Sequence, residues 1–103
     1  FRLMNIQDVE DRFNRYIAER EKLDTVAVYE QLKDKYPVTL TMEPCYDYEI
    51  PVLHGESSLG KFELWDTGLD IIFEINGGYH WHPSNTEEAI DAVISFMQGN
   101  SKY

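Results

Sequence analysis

This 103-residue sequence has little cysteine, little positive charge and no long hydrophobic run. Cys45 stands alone, so no internal disulfide can form, and a reducing cytoplasm is the expected compartment. No stretch approaches the roughly 20 apolar residues needed to span a bilayer. The start carries no signal-peptide pattern. Met4 is one candidate for the natural start, in which case Phe1 to Leu3 are a foreign leader. Nine basic residues stand against nineteen acidic ones, a net charge of −10. Residues 36–103 hold only two of those basic residues and eleven of the acidic ones. Nucleic acid and anionic membrane are therefore not expected partners, and a cationic partner is favoured. The same acidity also serves solubility, which is a statement about association and not about fold.

Catalytic patterns are also lacking. Cys45 has no base near it in sequence and follows a proline, as a half-buried structural thiol would. Ser57-Ser58 lacks a nucleophile-elbow setting. Gly77-Gly78 neither follows a phosphate-loop pattern nor opens a helix. Carboxylate pairs such as Asp47/Glu49 or Glu63/Asp70 lack the cleft that two-carboxylate hydrolysis requires. The chain is read as a non-enzyme without a cofactor.

What is present is clear alternation. Phe62 and Leu64 alternate with Glu63 and Trp65, and Ile71, Phe73 and Ile75 with Ile72 and Glu74. Asp66-Thr67-Gly68 breaks the first run. Asn76-Gly77 breaks the second, and this dipeptide suits tight hairpins because both residues tolerate positive φ. Tyr79 to His82 makes a short third strand that Pro83 stops. Upstream, Val38, Leu40 and Met42 form a strand closed by Pro44, and Tyr46, Tyr48 and Ile50 form another, with Pro51 marking an edge or early end. His54 to Gly60 has no period and reads as a loop.

Helices flank these strands. Asn5 to about Lys22 carries the stripe Ile6, Val9, Phe13, Tyr16 and Ile17, with Asn5 as N-cap. Asp24 or Thr25 caps a second helix to about Lys35, with Val28 and Leu32 inward and Pro37 beyond its end. After Pro83, Ser84 and Glu87 have capping-box spacing, and Ala89, Ile90, Val93, Ile94 and Met97 share one stripe before a stop at Gly99-Asn100. The expected fold is a single α+β domain over residues 1–103. It has two N-terminal helices, an antiparallel meander of four to five strands, and a C-terminal helix, with the helices mainly on one face.

That face would comprise Val38, Leu40, Met42, Tyr46, Tyr48, Phe62, Leu64, Ile71, Phe73 and Ile75. Alternation then leaves Glu43, Asp47, Glu49, Glu63, Trp65, Asp70, Ile72 and Glu74 uncovered. Like charges on neighbouring strands repel, so a sheet that tolerates them has a use for them or is simply well solvated. A Trp among carboxylates suits an interface anchor for a cationic partner. His80 and His82, two apart on a strand, share a face. They would sit at the surface beside a core-facing Tyr79 and Trp81, at the margin of the interface. The same pair is the basis of an alternative, a metal- or ligand-binding domain, if His54 or Cys45 joins it.

The segments Gly60-Lys-Phe-Glu-Leu-Trp-Asp-Thr-Gly68, Asp70-Ile-Ile-Phe-Glu-Ile75, His80-Trp-His-Pro83, Glu87-Glu-Ala-Ile90 and Phe96-Met97 resemble the immunity proteins of bacterial polymorphic-toxin and contact-dependent inhibition systems. The resemblance implies a protein that neutralises a cognate toxin, often a basic nuclease domain, through an acidic surface. The partner-binding residues expected on that reading are Asp47, Glu49, Glu63, Trp65, Asp70, Ile72, Glu74, His80 and His82, with no metal. A protein-interaction adaptor unrelated to toxins is the other non-enzymatic alternative.

Overall fold

The computed structural model describes residues 6–100. Helices α1 (Ile6–Glu19) and α2 (Thr25–Leu32) precede five strands, and helix α3 (Thr86–Met97) follows them. The strands are β1 (Thr39–Cys45), β2 (Tyr48–Ser57), β3 (Gly60–Asp66), β4 (Ile71–Ile75) and β5 (Tyr79–Trp81). They form one antiparallel sheet in the order β1-β2-β3-β4-β5, so the fold is α+β with a meander. No described helix is long and apolar enough to cross a membrane.

Local chemistry explains the helix ends. Asp24 caps α2, its Oδ1 accepting from the Ala27 amide at 3.0 Å. Asn85, not Ser84, caps α3: its Oδ1 accepts from the Glu88 amide at 2.9 Å. Glu88 in turn accepts from the Ser84 amide at 2.7 Å. The cap therefore sits one residue beyond the predicted one and is not the reciprocal box, since Glu88 takes the amide of the residue before the cap; Asn is as good an N-cap acceptor as Ser. At the other end, Gly99 at φ 79° lets its own amide reach Phe96 O and the Asn100 amide reach Ser95 O, a Schellman pair that satisfies two terminal carbonyls.

α2 and α3 cover the same face of the sheet. Val28 and Leu32 from α2, and Ala89, Ala92, Val93 and Phe96 from α3, close over Leu53, Phe62, Leu64, Ile71 and Phe73. Phe62 stacks on Phe73 with centroids 5.3 Å apart, and Phe96 meets both rings edge-on at 5.5 and 5.9 Å. Ile90, Ile94 and Met97 pack around this centre as expected, but the residues it fully buries include Ala92 and Phe96.

Several expectations are corrected. His54 to Gly60 is not a loop. β2 continues to Ser57 and turns through Ser58-Leu59 alone, so His54, Gly55 and Glu56 lie within a strand. Gly55 hid the alternation, and its reason is tertiary: it pairs with Phe62, and a Cβ there would sit 2.3 Å from that ring. Gly55→Ala is expected to cost about 1–3 kcal/mol through displacement of the ring. Urea titration would read this, and an unchanged midpoint would show that Phe62 has room to retreat.

Pro44 does not close β1, which runs to Cys45 along the sheet edge, where a missing N–H is tolerated. Pro51 lies mid-strand, but where β2 is paired with β1 and not yet with β3. Tyr46 occupies the β1–β2 turn at φ 56° and is 98% exposed, and Tyr48 pairs with Cys45 on the uncovered side at 77% exposure. Neither belongs to the covered face. Met42 has the parity of that face but lies beyond the helices, exposed. Tyr79 is exposed as well, while Trp81 packs half-buried against the core.

α1 departs most from expectation. Ile6, Val9, Phe13 and Tyr16 do form one stripe, yet they are 52–78% exposed. α2 and α3 already occupy the apolar side of the sheet, so amphipathicity alone did not place this helix. The predicted Asn5 cap and the Ile17 side chain lie outside the described residues.

The end of α1 is nevertheless anchored. Asp66 Oδ2 accepts from Arg20 Nη2 at 2.8 Å and from the Leu23 amide at 2.9 Å, while Oδ1 accepts from the Gly68 amide at 2.7 Å. Arg20 Nη1 also reaches Gly68 O at 3.3 Å. The α1–α2 link is thereby clamped to the β3–β4 turn. Burial alone would push the Asp66 carboxyl up. The hydrogen bonds from Arg20, Leu23 and Gly68 outweigh that and hold it below the ordinary value.

Candidate functional site

The strand register builds the uncovered face row by row. Residues directly paired across antiparallel strands point to the same side, and alternate residues along a strand do too. One row therefore runs Thr39, His54, Glu63, Glu74, His80 across all five strands. The adjacent positions are Thr41 paired with Val52, and Trp65 paired with Ile72. Glu43, paired with Ile50, shares the face. None of these residues belongs to the cluster that packs beneath α2 and α3.

The face thus combines two kinds of chemistry. Trp65 and Ile72 are half-buried side by side, and Val52 is buried on the same side without a helix over it. One step along the strands, Glu63 and Glu74 stand directly opposite each other, a like-charge pair that weakens the sheet unless something cationic offsets it. Lys61 is paired with Glu56 a further step along.

Not every expected residue joins this group. Glu63, Trp65, Ile72 and Glu74 lie together, with His80 exposed at the end of their row. Asp47 sits in the β1–β2 turn. Glu49 pairs with Pro44, which gives it the parity of the helix-covered side. Asp70 closes the β3–β4 turn, its carbonyl accepting from the Thr67 amide at 2.9 Å. It borders a cleft of about 480 Å³ with Arg20, His82 and Ser84, whose lining does not include Trp65. His82 follows β5, and its ring meets that of His80 edge-on at 5.5 Å, so the two histidines do associate. His82 Nδ1 lies 3.2 Å from Ile71 O.

His54 is also placed differently from its expected loop position. Its Nε2 lies 2.7 Å from Thr41 Oγ1 and 3.1 Å from Glu43 Oε2, and its Nδ1 lies 3.7 Å from Glu63 Oε1. Ile50, Val52, His54 and Glu56 do alternate, so the signal was present, but Gly55 and Ser57-Ser58 obscured it. His54 does not join His80, from which Glu63 and Glu74 separate it in the row, and Cys45 lies at the far end of β1.

Comparison with family models, curated proteins and solved structures finds no match to this chain.

Proposed function

We propose that this chain is an immunity-type inhibitor that binds a basic toxin domain, of the nuclease kind, through the uncovered face of its sheet. The supporting observation is the juxtaposition of a Trp65–Ile72 apolar pair with the Glu63–Glu74 carboxylates on a face that neither α2 nor α3 covers. An aromatic anchor supplies buried area at the centre of an interface, and carboxylates around it steer and orient a cationic surface. The net charge of −10 extends the same attraction beyond the contact itself. His80, on the carboxylate row, and His82 beside it lie at the margin of this interface.

Co-expression with the product of the adjacent upstream gene tests the reading. A toxic product neutralised by this chain, in a complex that survives purification, is the expected result. A harmless product with no complex would leave a toxin role without support. Within such a complex, Trp65→Ala is expected to weaken binding about 10- to 100-fold, chiefly through faster dissociation. Charge reversal by Glu63→Lys is expected to slow association, and raising salt from about 50 to 500 mM should slow the wild type about 10-fold or more. Surface plasmon resonance separates these rates. Association indifferent to salt would mean that another surface is used.

A further inference from the structure

The geometry points to a divalent-metal site at Glu43, His54 and Glu63, on three adjacent strands of the uncovered face. Each of these residues offers one ligand atom, and the three atoms all lie within 4.8 Å of one another. Imidazole with two carboxylates suits a first-row ion such as zinc, bound tetrahedrally by three protein ligands with a fourth position open. Donor atoms around a zinc ion are about 3.3 Å apart, given metal–ligand distances near 2.0–2.1 Å. His54 Nε2 and Glu43 Oε2 are already 3.1 Å apart, whereas Glu63 Oε1 lies 3.7 Å from the other ring nitrogen, Nδ1, so closure requires the long, half-buried Glu63 side chain to swing round to the Nε2 side.

Three further observations favour a cation here. Thr41 Oγ1 lies 2.7 Å from His54 Nε2 and donates to Glu43 Oε2 at 3.2 Å, which fixes the relative position of those two ligands. A cleft of about 470 Å³ bordered by Thr39, Thr41, His54, Glu63 and Lys61 gives an ion and its water access to two of the three ligands. The Glu63–Glu74 opposition is the kind of repulsion that a bound cation relieves. All three ligands also rise from strands, which hold a constellation more rigidly than loops do. By contrast, among the described residues no third His, Cys, Asp or Glu completes such a set with His80 and His82.

The site does not depend on the toxin reading, and its test uses the protein alone. Metal-stripped chain is titrated with zinc by calorimetry, and thermal unfolding is followed with and without the ion. About one zinc per chain and a raised unfolding temperature are expected in the wild type. His54→Gln and Glu63→Gln should each weaken binding at least about 10-fold. The His80→Ala/His82→Ala double variant should bind as the wild type does. No binding by the folded wild type overturns the site. So does zinc binding that survives His54→Gln but is lost in the His80/His82 double variant.

Discussion

Phe73→Ala is expected to remove about 3–5 kcal/mol of stability, the scale on which buried aromatic truncations fall. Phe73 is 1% exposed and touches both other rings of the core, stacking on Phe62 and meeting Phe96 edge-on. It is one of three mutually touching rings that join β3, β4 and α3. Truncation leaves a cavity that the rings cannot collapse into without giving up their mutual geometry. A domain of about 100 residues has roughly 5–15 kcal/mol in all, so the variant should be partly unfolded or nearly so at 37 °C. Urea titration followed by circular dichroism gives the loss. Phe73→Leu, which keeps most of the volume, should lose about 1 kcal/mol. A loss below that in Phe73→Ala would mean that the aromatic centre is not what joins helix and sheet.

Asp66→Ala comes next, at about 3 kcal/mol, the lower end of the cost of orphaning a buried ionic partner. Side-chain exposure is 8% for Arg20 and 12% for Asp66, so the guanidinium would lose its carboxylate in a largely dry place. The Leu23 and Gly68 amides would lose their acceptor at the same time. The effect carries a pH signature. The Asp66 carboxyl titrates below its ordinary value of 3.8 in the folded chain. The folded state thus binds this proton less readily than the unfolded state does. The stabilisation is fully present above the ordinary value and is lost as pH falls through the lowered folded value. The gap between wild type and Asp66→Asn should accordingly be wide at pH 7 and narrow as pH is lowered towards 3. A gap independent of pH would show that shape, and not charge, holds this clamp. Arg20→Met should cost a comparable amount, and a double-mutant cycle should return much of it as coupling.

Both predictions concern contacts that sequence could not supply. Arg20 and Asp66 are 46 residues apart and have no spacing signature. The rings of Phe62 and Phe73 could be assigned to one face by alternation, but their stacking depends on register. The same holds for the candidate sites. Glu63, Trp65, Ile72 and Glu74 were grouped correctly because β3 and β4 are joined by a short turn that fixes their pairing. Glu49 falls on the helix-covered side because the two-residue Tyr46-Asp47 turn pairs Tyr48 with Cys45 on the uncovered side, a register that alternation within β2 does not reveal. His54 was missed because a glycine made for a neighbouring ring looked like a loop residue.

The sequence by itself determined the α+β order, the Asn76-Gly77 hairpin, the presence and stop of α3, and the two-sidedness of β3 and β4. These rest on interactions between residues a few positions apart, which composition and period encode directly. Only the tertiary structure decided that β2 runs through Gly55, that α1 leaves its apolar stripe exposed, that Asp66 clamps the α1–α2 link, and that His54 lies between Glu43 and Glu63. Each of these depends on which distant segments share space, and that is settled by packing and register across the whole sheet.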